Sequence, residues 1–262
     1  MKEYILITGA SSGIGYAMAK QLAAKGFNLI LVARRKDRLE ALRLELKQVH
    51  QVTVEVFIAD LSKEANVFAL YEEVSQRGLT VSMLVNNAGF GEYGDFLSQP
   101  LQQEIEMIQV NITAVVMLTK LFLKDMKKAG RGTVMNIASL LSYLPFPYYS
   151  VYSATKAFVL AFTETLAAEF AGTNISIKAL CPGPVDTEFN TPKMLATNAY
   201  KANKPIAAAK VAEAGVKHLL RGNGSKKVGF NNWFISNLPR ITPDFLMMKI
   251  KLYLASPVGK PL

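Results

Sequence analysis

One cysteine, two histidines and one tryptophan in 262 residues exclude several chemistries at the outset. Cys181 has no partner for an internal disulfide, which fits a reducing compartment. His50 and His218 lie in no metal-ligand or nucleophile motif, so zinc catalysis and a Ser-His hydrolase are not expected, and no metal site is. No GK[ST] phosphate loop is present. The chain starts almost at once on an apolar strand, without a charged leader and cleavage site, so secretion is not expected. Uncharged apolar stretches stay below about 18 residues, so no transmembrane segment is expected either. Lys and Arg outnumber Asp and Glu by 30 to 20, but they are scattered. Without a basic run or a recognisable module, nucleic acid is not an expected partner. The sequons at Asn111 and Asn174 would then go unused, since the expected location is cytoplasmic.

Half of the residues are apolar, enough for one large core. Short β-branched runs at Tyr4 to Ile7, Asn28 to Val32, Val52 to Ile58, Val81 to Val85, Thr133 to Ile137 and Ile175 to Leu180 read as strands. Helical patterns fill the gaps near Ile14 to Lys25, Asp37 to Gln48, Lys63 to Gln76, Leu101 to Lys128 and Tyr152 to Ala171, with another at about Ile206 to Leu220. This alternation predicts a single α/β domain over 1–262, a doubly wound, Rossmann-type, mostly parallel sheet with helices on both faces. Ligands of such sheets bind beyond the carboxyl ends of the strands. The Pro-rich, polar stretch at about 186–205 suits a mobile substrate lid. A C-terminal extension at about 231–262 contains FLMMKIKLYL, which could be a packed terminal helix, an oligomer contact or an interfacial membrane element, the first two being favoured.

The glycine-rich turn TGASSGIG follows the first strand and opens a helix, placing Gly9, Ser11, Ser12, Gly13, Ile14 and Gly15 together. Glycine permits a tight turn and close backbone approach, and the first helical amides direct partial positive charge at a phosphate. The spacing is not GxGxxG, yet the mechanical needs of a dinucleotide pyrophosphate are met. At the end of the second strand a carboxylate would bind an adenosine ribose; here Arg34 and Arg35 stand instead. Arginine supplies charge-assisted bonds to a 2′-phosphate, so NADP(H) is expected over NAD(H). Arg34, nearer the strand, fits that contact better, and Arg35 fits a solvated helix start. Tyr152 and Lys156 are four apart, on one face of a helix, with Cβ atoms about 5–6 Å apart. Alone, that spacing is an ordinary feature of amphipathic helices; after such a turn it reads as a proton-transfer pair in which the ammonium lowers the phenol pKa.

TGASSGIG, VNNAG at Val85 to Gly89, Asn111, Ser139, YSATK and PGPVDT together resemble the single-domain short-chain dehydrogenase/reductase family, over roughly the first 190 residues. Within it the chain looks most like bacterial NADPH-dependent carbonyl reductases. The resemblance implies a catalytic set of Asn111, Ser139, Tyr152 and Lys156, with Tyr152 as general acid or base. Lys156 would hold the nicotinamide ribose, Ser139 the carbonyl oxygen, and Asn111 a water linking Lys156 to solvent. It also implies that Asp60 and Leu61 border the adenine, Asn87, Ala88 and Gly89 the adenosine ribose, and Pro182, Gly183, Val185 and Thr187 the nicotinamide. Structural alternatives stand beside these roles: Ser139 as a strand-end cap, Asn111 as a polar helix residue, Asp60 as an N-cap before the helix at Lys63. The expected activity is reduction of a ketone or aldehyde to an alcohol. An NAD-dependent alcohol dehydrogenase and a non-catalytic cofactor sensor are the alternatives. The expected substrate is a small carbonyl or alcohol compound with an apolar substituent, since Phe90, Tyr93, Leu140, Leu141, Tyr143, Phe146, Tyr149 and Phe189 lie in or beside candidate lining segments. Family likeness also implies a homodimer or homotetramer through the helices at Leu101 to Lys128 and Tyr152 to Ala171.

Overall fold

The computed structural model describes residues 2–258. Six strands follow the expected runs: β1 (Glu3–Thr8), β2 (Asn28–Ala33), β3 (Val54–Ile58), β4 (Thr80–Asn86), β5 (Gly132–Ile137) and β6 (Ile175–Cys181). After them come the short β7 (Val185–Asp186) and β8 (Ile206–Ala207), then β9 (Gly224–Lys227). Seven strands form one sheet in the order β3-β2-β1-β4-β5-β6-β9, with every pairing parallel. The helices are α1 (Gly13–Ala23), α2 (Lys36–His50), α3 (Glu64–Gln76), α4 (Leu101–Ile108), α5 (Ala114–Lys128), α6 (Ser150–Glu169), α7 (Pro192–Leu195), α8 (Asn198–Ala202), α9 (Ala208–Arg221), α10 (Phe230–Asn237) and α11 (Asp244–Ala255).

Both sheet faces are covered, which is why β1 is an unbroken apolar run rather than an alternating one. Its side chains divide by parity. Ile5 and Ile7 join a core with Met18, Leu22, Leu42 and Val211, whereas Tyr4 and Leu6 join another with Leu70, Leu118 and Phe122. Each fully buried leucine contributes about 1.5–3 kcal/mol relative to exposure. A polar chain crosses the second layer: Asn86 Nδ2 donates to Thr119 Oγ1 at 3.0 Å and Asn136 Oδ1 at 2.9 Å, and Asn136 Nδ2 donates to Thr163 Oγ1 at 2.9 Å. That chain locks β4, α5, β5 and α6 in register near the carboxyl end of the sheet. The chain reverses its winding between β1 and β4, and the cleft opens at that switch point.

Three local features differ from the sequence expectation. The helix expected over Leu101 to Lys128 is wound as π-helix over Gln109–Thr113, between α4 and α5. By length and composition alone this stretch is apolar enough to cross a membrane. Its apolar side chains have another destination, because Leu118, Phe122, Leu123 and Met126 are buried in the core. β9 was not expected, since GSKK carries no apolar signal; lysines suit its place at the sheet edge. The expected mobile lid is built of α7 and α8 and rises from a clamp in which Val185 pairs with Ile206 and Asp186 with Ala207. The extension forms α10 and α11, and its last residues, 259–262, lie outside the described residues. Asn198 N donates to Ser256 O at 3.0 Å, and Asn198 Nδ2 donates to Tyr253 O at 3.0 Å, so α11 is tied to the lid.

Candidate active site

The cleft is built first by the turn between β1 and α1. Gly9 has φ +67°, and a Cβ there would lie 2.8 Å from Asn87 Nδ2 and 2.9 Å from Ala88 Cα. A Cβ on Gly15 would lie 2.6 Å from Gly9 O. Both positions therefore require glycine. Asn87 Nδ2 donates to Thr8 O at 2.9 Å and Gly9 O at 3.2 Å, while Asn87 N and Ala88 N both donate to Thr8 Oγ1 at 3.0 Å. Thr8 thus joins the ends of β1 and β4, a role that one hydroxyl before a glycine does not announce. Ser12 precedes α1 with extended backbone and makes no side-chain cap, and no acidic residue occupies the first turn. The helix N-terminus keeps its positive end for an anion, so the turn fits a pyrophosphate.

Of the two arginines, Arg35 is the one fastened to this turn. Its Nε and Nη2 donate to Ser11 Oγ at 3.1 and 3.0 Å, its Nη2 to Ser12 Oγ at 2.6 Å, and its Nη1 to Glu188 Oε2 at 2.7 Å. Arg35, an expected cofactor contact with a solvated helix start as its alternative, is thus held by two hydroxyls and a lid carboxylate. Arg38 also donates to Glu188, at 2.6 Å, and the two guanidiniums hold that carboxyl below the usual range. Arg34 is exposed, makes no hydrogen bond to the described residues, and lines the cleft beside Asp60. Burial pushes the Asp60 carboxyl up, but donation from Ser62 and the charges of Arg34 and Lys63 outweigh it and leave the group below its ordinary value. Asp60 organises a turn through Ser62 N at 3.1 Å; the N-cap of α3 is Lys63. Leu61, Ala88 and Gly89 complete this end of the cleft.

Deeper in, α6 carries Tyr152 and Lys156, both buried, on its cleft side. Lys156 Nζ donates to Ile137 O at 2.8 Å and lies 5.9 Å from the centre of the Tyr152 ring. Ser139 caps the short helical turn after β5, accepting from Leu141 N at 3.1 Å, and faces the Tyr152 phenol, whose pKa it lowers. Its capping role and its place beside the phenol coexist. Ser142 of the same turn donates to Lys156 O at 2.7 Å, which joins this loop to α6. Burial raises the Tyr152 phenol, Ser139 pulls it down, and the nearby Tyr200 raises it further. The expected lowering by Lys156 is thus corrected: the ammonium lies toward the ring, and burial wins. Burial also pushes Lys156 down to about 8.

Asn111 sits in the π segment and is fully buried. It brackets Phe90, accepting from Phe90 N at 3.2 Å and donating to Phe90 O at 2.9 Å, and also donates to Thr155 Oγ1 at 3.1 Å. A π turn inside an α-helix frequently marks a functional site. Here it aims Asn111 at the loop that follows β4. A Cβ on Gly89 would come within 2.9 Å of Asn111 Oδ1 and 3.4 Å of Lys156 Nζ, so Gly89 lets both approach.

The cleft has a volume of about 680 Å³ and contains every expected catalytic and cofactor-binding residue except Gly15 and Asn111, which brace it from behind. Pro182, Gly183, Val185 and Thr187 form one wall. Phe90, Leu140, Leu141, Phe146, Tyr149 and Phe189 line the apolar end as expected. Tyr143 and Tyr93 are corrections. Tyr143 lies outside the cleft, with Lys227 Nζ 4.3 Å from its ring centre and Cys181 Sγ 3.9 Å from its hydroxyl. Tyr93 packs behind Tyr149 and donates to Ala255 O at 2.5 Å. Sequence reasoning missed the far wall, made by Ile235, Leu238, Met247, Ile250 and Leu254. The apolar spacing in FLMMKIKLYL was the available signal. Cys181 is buried and its thiol is pushed up to about 12 by burial, which suits packing rather than reaction. Among the described residues no cluster suitable for a metal occurs.

The short chain dehydrogenase family model matches residues 3–198, which contain the glycine turn, the Ser139, Tyr152 and Lys156 set and the lid clamp's first strand. The chain belongs to the short-chain dehydrogenase family. It is therefore an oxidoreductase of the family that uses a nicotinamide cofactor. Human 17-beta-hydroxysteroid dehydrogenase type 3 is 37% identical over 204 residues, 76% of this chain and 63% of that protein. The chain thus spans less than two thirds of that relative's length. Very-long-chain 3-oxoacyl-CoA reductase from Anas platyrhynchos is 31% identical over 252 residues, covering 94% of this chain and 79% of the relative. Among solved structures, a short-chain dehydrogenase from Sphingobium yanoikuyae in complex with NADPH superposes with a TM-score of 0.78 at 28% identity, covering 99% of this chain and 98% of the other.

Proposed function

We propose that this short-chain dehydrogenase is an NADP(H)-dependent reductase of ketones or aldehydes bearing a large apolar substituent. The observation that carries the reading is one continuous cleft, with a phosphate-fitting turn and an unspent arginine at one end, a buried Ser139, Tyr152 and Lys156 set in the middle, and an apolar chamber at the other. The turn amides would hold the pyrophosphate, Arg34 with Arg35 the 2′-phosphate, Asp60 and Leu61 the adenine edge, and Asn87 to Gly89 the adenosine ribose. Lys156 would hold the nicotinamide ribose, and the wall from Pro182 to Thr187 the nicotinamide. When bound, the cofactor supplies the hydride. Tyr152, kept neutral by burial, donates its phenolic proton to the carbonyl oxygen as negative charge grows there. Ser139 stabilises the same oxygen by hydrogen bonding, and Asn111 keeps the Phe90 loop in place beside it. The names of two relatives carry a steroid and a very-long-chain oxoacyl thioester, both with large apolar parts. A panel of carbonyl compounds graded by apolar bulk, read by loss of nicotinamide absorbance, should show kcat/KM rising with bulk. Preference for small polar carbonyls would overturn the substrate reading. The proposal includes a cytoplasmic location and a homodimer or homotetramer joined through α4, α5 and α6, where Ile105, Ile108 and Phe158 are exposed.

Two expectations concern the cofactor end and the proton. One charge-assisted contact of about 1.5–3 kcal/mol makes NADPH bind on the order of ten- to a hundredfold tighter than NADH. The double variant Arg34→Ala/Arg35→Ala should erase that gap, whereas equal affinities in the unmodified protein would contradict it. Lys156 is depressed to about 8, so its ammonium is present below that pH and lost above it. The kcat/KM for reduction, which reports the free enzyme, should therefore fall as pH rises through about 8. A profile flat through that range would separate Lys156 from the reaction.

A further inference from the structure

The C-terminal extension has two apolar sides. Met247, Ile250 and Leu254 of α11 line the cleft, while Phe245, Met248 and Leu252, at i, i+3 and i+7, stay substantially exposed on the same helix. Packing against the lid thus accounts for one side only. Exposed apolar side chains also occur on α10, where Phe230 is 79% exposed and stacks on Trp233 with ring centres 6.0 Å apart, and Phe234 is exposed as well. Ile241, in the link between the helices, is also 79% exposed.

The charge beside this surface is mostly positive. Lys201, Lys204, Phe230 and Asn231 line a shared shallow groove, and Lys249 is exposed on α11. Asp244 is the single acidic residue between Phe230 and Val258, and none occurs between Phe189 and Glu213. A second copy is a poor occupant, because a two-fold interface sets the same patch against itself and would bring these lysines together. An anionic bilayer supplies acyl chains for the rings and phosphates for the ammonium groups.

We propose that α10, α11 and the α8 edge of the lid form a face that docks on an anionic lipid surface. The face is also the outer wall of the apolar chamber, so the docked protein holds that end of its cleft at the bilayer. Docking stands on the surface alone and not on the reductase reading: Tyr152→Phe should dock as the unmodified protein does.

Trp233 is the only tryptophan, so its emission reports this face without interference. The full chain should be mixed with phosphatidylcholine vesicles, or with vesicles of phosphatidylcholine and phosphatidylglycerol, and followed by Trp233 emission and co-sedimentation. The expected result is a blue shift and pelleting with the anionic vesicles, weakened by salt. Binding should be on the order of a hundredfold tighter than to phosphatidylcholine alone, the contribution of three lysines near a charged surface. Lys201→Glu/Lys204→Glu should remove most of that preference, and Phe245→Ser should abolish the shift with cofactor affinity and circular dichroism unchanged. Absence of binding, or equal binding to both vesicle types, would overturn the proposal. So would a blue shift that follows protein concentration without vesicles and a doubling of mass by light scattering that Phe245→Ser reverses, since the face would then pair copies of the chain.

Discussion

Tyr152→Phe is expected to lower turnover by about 10²–10⁴-fold while leaving NADPH affinity nearly unchanged. The ring is held by packing, with Phe189 at 5.4 Å and Tyr149 at 6.4 Å between ring centres, and phenylalanine preserves those contacts. Only the hydroxyl that Ser139 faces disappears. Lys156→Ala provides the contrast. It removes a buried ammonium that lies beside both the Tyr152 ring and Gly89 and strands the Ile137 carbonyl, so turnover and cofactor affinity should fall together. Turnover by Tyr152→Phe at the unmodified rate, measured alongside cofactor titration, would remove Tyr152 as the proton donor.

The second large effect belongs to Gly9→Ala. A left-handed φ at a non-glycine residue costs about 1–3 kcal/mol, and the new methyl would also push on the Ala88 backbone. The β1 and β4 ends would separate, moving the turn amides away from the pyrophosphate position. Melting should drop by on the order of 10 °C, and NADPH binding should weaken by roughly a hundredfold. Gly26→Ala is the matched control. Gly26 also has positive φ, at +83°, but its added Cβ meets nothing within 4 Å, so it should cost stability without touching the cofactor. Unimpaired NADPH binding by Gly9→Ala would show that this turn does not cradle phosphate.

Features written in local pattern were legible in the sequence. Six strands, the main helices and the parallel sheet follow from apolar runs and their spacing, because the central strands are buried on both faces. The glycine turn and the Tyr152 and Lys156 pair were legible for the same reason. What depended on distant partners was not. Arg35 is fixed by Glu188, far along the chain, and nothing near residue 35 indicates that carboxylate. Tyr143 and Tyr149 look alike in sequence, yet one faces β9 and the other the cleft. The strand GSKK is held by its register with β6 rather than by its own side chains. The raised Tyr152 phenol is also a tertiary effect: i, i+4 spacing places an ammonium nearby, but burial by Phe189, Tyr149 and Tyr200 sets the sign.

The central claim is hydride transfer from a nicotinamide to a carbonyl carbon with Tyr152 supplying the proton. Its most direct test is a single incubation of the unmodified protein with NADPH deuterated at nicotinamide C4 and a bulky apolar ketone, followed by mass spectrometry of the product. Incorporation of one deuterium at the carbinol carbon, with almost no labelled alcohol from Tyr152→Phe, is the expected result. Binding of the cofactor without formation of labelled alcohol from any ketone of the panel would contradict the account and leave a cofactor-binding protein without this chemistry.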